Sequence, residues 1–276
     1  MLYLKKTLDL EYPLKEADVA LIGIPFDSTE IGRPVRYGPL FLRESIKNLV
    51  GFDPELGLNI FGKYKIADLG DIEIVPGSWE LTRERILDTL EWLLGENPKI
   101  LPVFLGGEHL ITLAILEGLS KIHKSITVVD FDAHRDLRKD WLGNKFSHIT
   151  WARHILGRPG FELIQPCCRI WDEEDRDVDV RKDLNGITGP VYITLDLDVL
   201  DPSYAPEVGT PEPLGLNPEQ LFSLLKQACR GKVIGLDIME CAAREVNSRT
   251  ALMGAQAFKK VLGYQIYTDI LCFISS

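Results

Sequence analysis

Six apolar runs of strand length, each followed by a stretch long enough for a helix, confine this chain to a narrow set of folds. The runs are VALIGIPF (19–26), YKIADLGDI (64–72), ILPVFLGG (100–107), SITVVDFD (125–132), VYITLDLDVL (191–200) and KVIGLDIMEC (232–241), with CRIWDEE (168–174) as a candidate seventh. Near-continuous apolarity marks strands buried on both faces. Helical patterns fill the gaps at 39–50, 78–96 and 217–230, the last with Asn217 as its N-cap and Pro218 at its first position. Such alternation predicts a parallel sheet covered on both sides. Ligands of such sheets bind beyond the carboxyl ends of the strands.

The ionisable residues follow that rule. ILPVFLGG runs straight into Glu108 and His109, SITVV into Asp132, His134 and Asp136, VYIT into Asp196 and Asp198, and VIGLDIM into Glu240. On an extended strand, residues i, i+2 and i+4 share a face, so Asp132, His134 and Asp136 are predicted to project together. Such crowding is unfavourable unless a cation neutralises it. His109, Asp132, His134, Asp136, Asp196 and Asp198 together offer two imidazoles and four carboxylates. Two divalent ions balance the four negative charges and leave room for one further anion, a hydroxide made by lowering the pKa of water. Oxygen-rich ligation with some imidazole suits Mn²⁺ better than Zn²⁺. The pattern points to two Mn²⁺ per subunit and a hydrolytic reaction.

A single Asp at a strand end is ordinarily a cap or turn former. The recurrence at several strand ends is what carries the metal reading. Asp71, Asp130 and Asp237 lie within strand-like runs and are read as structural or supporting groups. His123 and His154 are read as helix-surface residues, and Cys167–Cys168 as inert packing.

Composition bounds the rest. With 276 residues, 45% of them hydrophobic, the chain can bury one large core, and 1–276 is read as a single domain. A net charge of −10 argues against a nucleic-acid partner and suits a small cationic substrate. The start, MLYLKKTLDLEYPLKEADVA, lacks the apolar centre of a signal peptide, and no run approaches a membrane span. Five cysteines without a CxxC pair indicate neither a disulfide framework nor a zinc site. Cytoplasm is the expected compartment.

These motifs also resemble a known family over nearly the whole chain. GGEH (106–109), DAHRD (132–136) and TLDLDVLDPSYAPEVGTPEPLG (194–215) are similar to the signature segments of the ureohydrolases, the family of arginase and agmatinase. GIPFDSTEIGRPVRYGPLFLRES (23–45) and DLGDI (68–72) resemble its earlier segments. The resemblance implies a three-layer α/β/α sandwich around a mainly parallel eight-stranded sheet, often assembled as a trimer or hexamer. It implies that His109 and Asp136 complete the shell of one manganese ion, His134 and Asp198 that of the other, with Asp132 and Asp196 bridging. His148 matches the family's proton-shuttling histidine, and Glu240 the carboxylate that holds the guanidinium. Asp136 would relay a proton to the leaving amine. The loop DLRKDWLGNKFSH (136–148) looks like that of one group of agmatinases, so agmatine is the expected substrate. N1-aminopropylagmatine, arginine and guanidinobutyrate are the alternatives. Arg138 and Lys139 are read as solvated or interface-facing. A deacetylase-like amidohydrolase with one zinc, or a non-catalytic metal-binding protein, are the remoter readings.

Overall fold

The computed structural model describes residues 10–28 and 32–275; the signal-peptide reading at 1–9 and part of the early motif, at 29–31, lie outside them. Strands β1 (Val19–Ile24), β4 (Ile66–Asp71), β5 (Leu101–Gly106), β6 (Ile126–Phe131), β7 (Phe161–Ile164), β8 (Pro190–Asp196) and β9 (Lys232–Met239) form one sheet. Their order is β4-β1-β5-β9-β8-β6-β7, and every ladder is parallel. A two-residue hairpin, β2 (Phe52–Asp53) with β3 (Leu58–Asn59), stands apart. The described residues thus give seven sheet strands where eight were expected. Among the described residues, the sheet continues beyond β4 as an isolated antiparallel bridge between Glu11 and Ala67.

The core alternates strictly across the sheet. Val19 and Leu21 of β1 join one apolar cluster, while Ala20, Ile22 and Ile24 join the other. Val191, Ile193 and Leu195 of β8 fall on the first side and Tyr192 on the second. Helices α1 (Gly38–Lys47), α5 (Pro218–Ala228) and α6 (Arg249–Ser275) cover the first side through residues such as Leu42, Leu225 and Phe258. On the second side lie α2 (Trp79–Glu96), α3 (Ile111–Leu119) and α4 (Trp151–Ile155), through Ile86, Leu90, Ile115 and Trp151. Burying each large aliphatic side chain on these faces contributes roughly 1.5–3 kcal/mol. The three layers are those expected.

The six apolar runs all became strands, and the three helical patterns became α1, α2 and α5. Asn217 caps α5 in a full capping box, accepting from the Gln220 N–H while the Gln220 side chain accepts from the Asn217 N–H. The candidate strand at 168–174 is a correction. The strand beside β6 is Phe161–Ile164, and 168–174 is loop running into a 3₁₀ turn at Glu173–Asp175, with one isolated parallel bridge from Ile170 to His134, just past β6. Its side chains turn to groups around the strand ends instead: Arg169 donates to Asp198 O, and Asp172 accepts from Arg138. Among the described residues, no helix is long and apolar enough to cross a membrane.

Candidate metal centre

Strands β5, β9, β8 and β6 are consecutive in the sheet and end on the same edge. Past β5, the Gly107 N–H donates to Ile24 O and the Glu108 N–H to Phe26 O, which carries His109 over the edge. The His109 ring is buried, with Nε2 2.8 Å from Thr194 Oγ1. Nδ1 is thereby turned to the acids: 3.1 Å from Asp132 Oδ2 and 3.4 Å from both Asp136 Oδ2 and Asp196 Oδ2. On the other side, His134 Nδ1 lies 2.9 Å from Asp198 Oδ2 and 3.5 Å from Asp132 Oδ1. Asp132 stands between the two imidazoles. All six residues expected as ligands are therefore brought together.

The expected means of convergence is not the observed one. β6 stops at Phe131, and Asp132, His134 and Asp136 do not continue its pleat. Asp132 Oδ1 accepts the His134 N–H, and Asp136 adopts φ +53°. Asp198 likewise sits in a single 3₁₀ turn at Leu197–Val199, its N–H donating to Asp196 Oδ1 and its Oδ1 accepting from Ala133 N. Backbone N–H groups aim these carboxylates. A turn does so without needing the period of two.

Glu240 follows β9 with φ +60°, its N–H bonded to Gly107 O and its Oε1 accepting the His109 N–H at 2.9 Å. Gly209 faces it so closely that a Cβ there would lie 2.3 Å from Glu240 Oε2. Left-handed backbone at a non-glycine residue costs of order 1–3 kcal/mol, and Asp136 and Glu240 both carry that cost. His148 lines the same cavity, about 200 Å³, with His109, His134, Asp136, Asp196, Asp198 and Glu240. Ser147 Oγ lies 3.1 Å from its Nδ1.

Do these residues fit metal ions? His109 Nδ1 and Asp132 Oδ2 are buried and 3.1 Å apart, yet neither has a hydrogen-bond partner. Donor atoms that converge on a shared point rather than on each other suit a cation between them. The donor atoms of Asp132, His134 and Asp198 lie within 4.8 Å of one another, as do those of His109, Asp130 and Asp132. Asp130 faces the His109 nitrogen that Thr194 already meets, and accepts from Gln165 Nε2 at 2.9 Å. We therefore place Asp130 behind the cluster, as expected. The set fits.

Electrostatics say the same. Burial and the neighbouring Asp132 push Asp136 up to about 7 and Asp198 up to about 6. Burial, then Asp198 and Asp132, drive Asp196 well above the carboxylate range; burial, then Asp196 and Glu108, do so for Glu240. Burial opposes charge on Asp132 too, but the adjacent His109 and His134 imidazoles outweigh it and hold that acid low. Burial likewise opposes charge on both imidazoles, and their carboxylates outweigh it. The protein alone balances this cluster only with protons. A cation replaces them. His148 differs: burial and the other two imidazoles push it down to about 4, so it is neutral near pH 7.

Three groups escaped sequence reasoning. Trp151 Nε1 donates to Asp136 Oδ2, Thr194 holds His109, and Glu212 faces His134. Thr194 precedes Asp196 by two on one strand face, a signal that was present; Trp151 and Glu212 gave none beyond their nearness to motifs. Arg138 is a correction. Lys139 is exposed, but Arg138 is half-buried at the cavity wall, ion-paired with Asp172 and stacked 4.8 Å from the Trp141 ring centre. An acidic partner and an aromatic face drew it out of solvent. Cys167 and Cys168 are free, and burial pushes the Cys167 thiol up to about 12, in keeping with inert packing.

A parallel sheet whose edge gathers this donor set defines a metal-dependent α/β hydrolase with a binuclear centre. The Arginase family model matches residues 17–188 and 178–263, and the chain belongs to that family. The ureohydrolase resemblance is thus borne out. The N(1)-aminopropylagmatine ureohydrolase of Thermococcus kodakarensis is 37% identical over 286 residues, covering 96% of each chain. The agmatinase of Pyrococcus horikoshii is 32% identical over 95% of this chain and 98% of its own. In structure, the proclavaminate amidino hydrolase from Streptomyces clavuligerus superposes with a TM-score of 0.83 at 26% identity, covering 96% of this chain and 99% of that one.

Proposed function

We propose that this protein hydrolyses the guanidinium of agmatine to urea and putrescine, with two Mn²⁺ per subunit. The observation that carries the substrate is the charge arrangement of the cavity wall. Glu240 offers a buried carboxylate to a guanidinium, whereas the two lining cations are both engaged. Arg138 is paired with Asp172, and Arg135 donates to the carbonyls of Asp175 and Val178. A cationic guanidine without a carboxylate tail suits such a wall.

In this reading His109 and Asp136 would hold one ion and His134 and Asp198 the other, with Asp132 and Asp196 shared between them as the family resemblance implies. Bound there, the ions supply acidified water and positive charge against the developing tetrahedral centre. The protein's own groups do the rest. Glu240 pairs with the guanidinium and fixes its orientation, since its Oε1 is already anchored on the His109 N–H. Asp136 relays a proton toward the leaving amine. His148, neutral and in the same cavity, exchanges that proton with bulk water. The proposal extends to a trimer or hexamer, as the family resemblance implies, and to the cytoplasm, the compartment expected from the sequence; sedimentation of the purified chain tests the assembly.

A longer substrate, N1-aminopropylagmatine, has one observation in its favour. A second cavity of about 760 Å³ shares Arg135, Trp171 and Asp172 with the first and carries Glu173, Asp177 and Asp179 on its walls, against Arg176 and Lys182. The test is urea release by metal-stripped, Mn²⁺-reconstituted protein offered agmatine, aminopropylagmatine, arginine and guanidinobutyrate side by side. Preference for either amine-tailed guanidine supports the wall argument. Preference for arginine or guanidinobutyrate overturns it, and no urea from any of them overturns the proposal.

A further inference from the structure

Resting on the two-ion reading above, we infer that Glu212 is a positioning residue for the metal centre and that Arg169 clamps it in place. His134 turns Nδ1 toward Asp198 and Asp132, which leaves its Nε2 3.5 Å from Glu212 Oε1, an ion-pair distance. An imidazole that binds an ion through Nδ1 keeps its proton on Nε2. A carboxylate at that proton fixes the tautomer and ring orientation, and makes the ligating nitrogen more basic. Both side chains are about four-fifths shielded from water (21% and 23% exposed), so solvent weakens the interaction only in part.

Glu212 comes from the loop between β8 and α5, and a carboxylate on a free loop would hold nothing. Arg169 supplies the missing constraint. Its Nη2 donates to Asp198 O and Glu212 O, each at 2.8 Å, its Nη1 to Val199 O at 3.2 Å, and its Nε to Pro213 O at 3.0 Å. These four carbonyls belong to two segments, one carrying the ligand Asp198 and the other carrying Glu212. A single planar fork thereby sets the spacing between them, which a lysine ammonium cannot do.

The two imidazoles are not supported alike. His109 Nε2 is taken by the Thr194 hydroxyl at 2.8 Å, with the Asp130 carboxylate further off at 4.0 Å, whereas His134 Nε2 meets the Glu212 carboxylate at 3.5 Å. The two ions therefore differ in affinity for a reason that lies outside the ligands, and removing Glu212 affects one of them alone.

The experiment is a titration of the metal-stripped full chain with Mn²⁺ against a chromophoric chelator, resolving two affinities. It compares wild type, Glu212→Ala, the near-isosteric Glu212→Gln and Arg169→Lys, each with a thermal melt, and adds kcat and KM for agmatine at saturating Mn²⁺. Wild type takes two ions. Glu212→Ala weakens one of them about 10- to 100-fold and leaves the other unchanged. Glu212→Gln weakens the same ion less, Arg169→Lys reproduces the one-site loss, and KM is unchanged in all three. Wild-type affinity at both sites in Glu212→Ala, or equal loss at both, overturns the inference while leaving the two-ion reading intact. Wild-type affinity in Arg169→Lys overturns the clamp. Fewer than two ions in the wild type overturns the reading and the inference together.

Discussion

Trp151 Nε1 donates to Asp136 Oδ2 at 2.8 Å while its ring centre lies 4.8 Å from that of His109. One indole therefore touches two proposed ligands of the same ion, from a helix that begins only three residues after His148. Trp151→Phe keeps the ring packing and removes the N–H. Losing a hydrogen bond to a buried carboxylate costs about 1.5–3 kcal/mol, so the variant is expected to unfold at lower denaturant and to need more Mn²⁺ for half-maximal urea release. Denaturant melts and a Mn²⁺ activation curve check both.

Stability should depend on pH and metal together. The metal-free fold holds protons on Asp136 up to about pH 7 and on Asp198 up to about pH 6, whereas the unfolded chain releases them near the ordinary aspartate value of 3.8. Between those limits the native state binds more protons, so its stability falls as pH rises. His109 and His134, also raised, contribute stability below about pH 6.5 that is lost as pH climbs through their higher folded values. Mn²⁺ takes the place of all these protons and should stabilise more at pH 8 than at pH 6. Thermal melts with chelator and with Mn²⁺ at both pH values measure the difference, and an equal gain at each would contradict it.

Glu240→Gln keeps an acceptor for the His109 N–H and removes the charge offered to the substrate. The loss in kcat/KM for agmatine should be about a hundredfold or more, on the scale of removing one member of a buried charge pair, with little change in thermal stability. Steady-state kinetics with a parallel melt distinguish this from a folding defect.

Asp172→Asn leaves Arg138 unneutralised at the cavity wall. KM for agmatine should rise about tenfold, and guanidinobutyrate, with its anionic tail, should become a better substrate. The ratio of the two kcat/KM values is the readout. A ratio that does not move would remove Asp172 from the account of specificity.

Most of the framework was legible because buried parallel strands are written in long apolar runs, and their ends in charged residues that such runs exclude. β7 was not, since FELI is short, lies at the sheet edge and holds a half-buried Phe161 and an exposed Glu162. Cys168, Ile170 and Trp171 of 168–174 read more like a strand than β7 does, although they serve the loops at the site. The ligand types and their order were legible too. The backbone that gathers them was not: nothing in DAHRD announces that Asp136 turns left-handed, because Asp is only one of several residues that tolerate that conformation. Arg138 was misjudged for a different reason. Its partner Asp172 lies 34 positions away, and only the fold brings the two together.

The strict two-faced alternation of β8 has a bearing on how such a chain can change. Removing one residue from that strand would draw Asp196 back by about 3.3 Å and exchange the sides on which Tyr192 and Ile193 pack. A length error in the scaffold is thus punished twice, once in the chemistry and once in the folding. Loop segments beyond the sheet edge that hold neither a proposed ligand nor the Arg169 clamp carry no such penalty. New tail-binding contacts can therefore be tried there by insertion and deletion, while the strands that present the metal ligands accept change only by substitution.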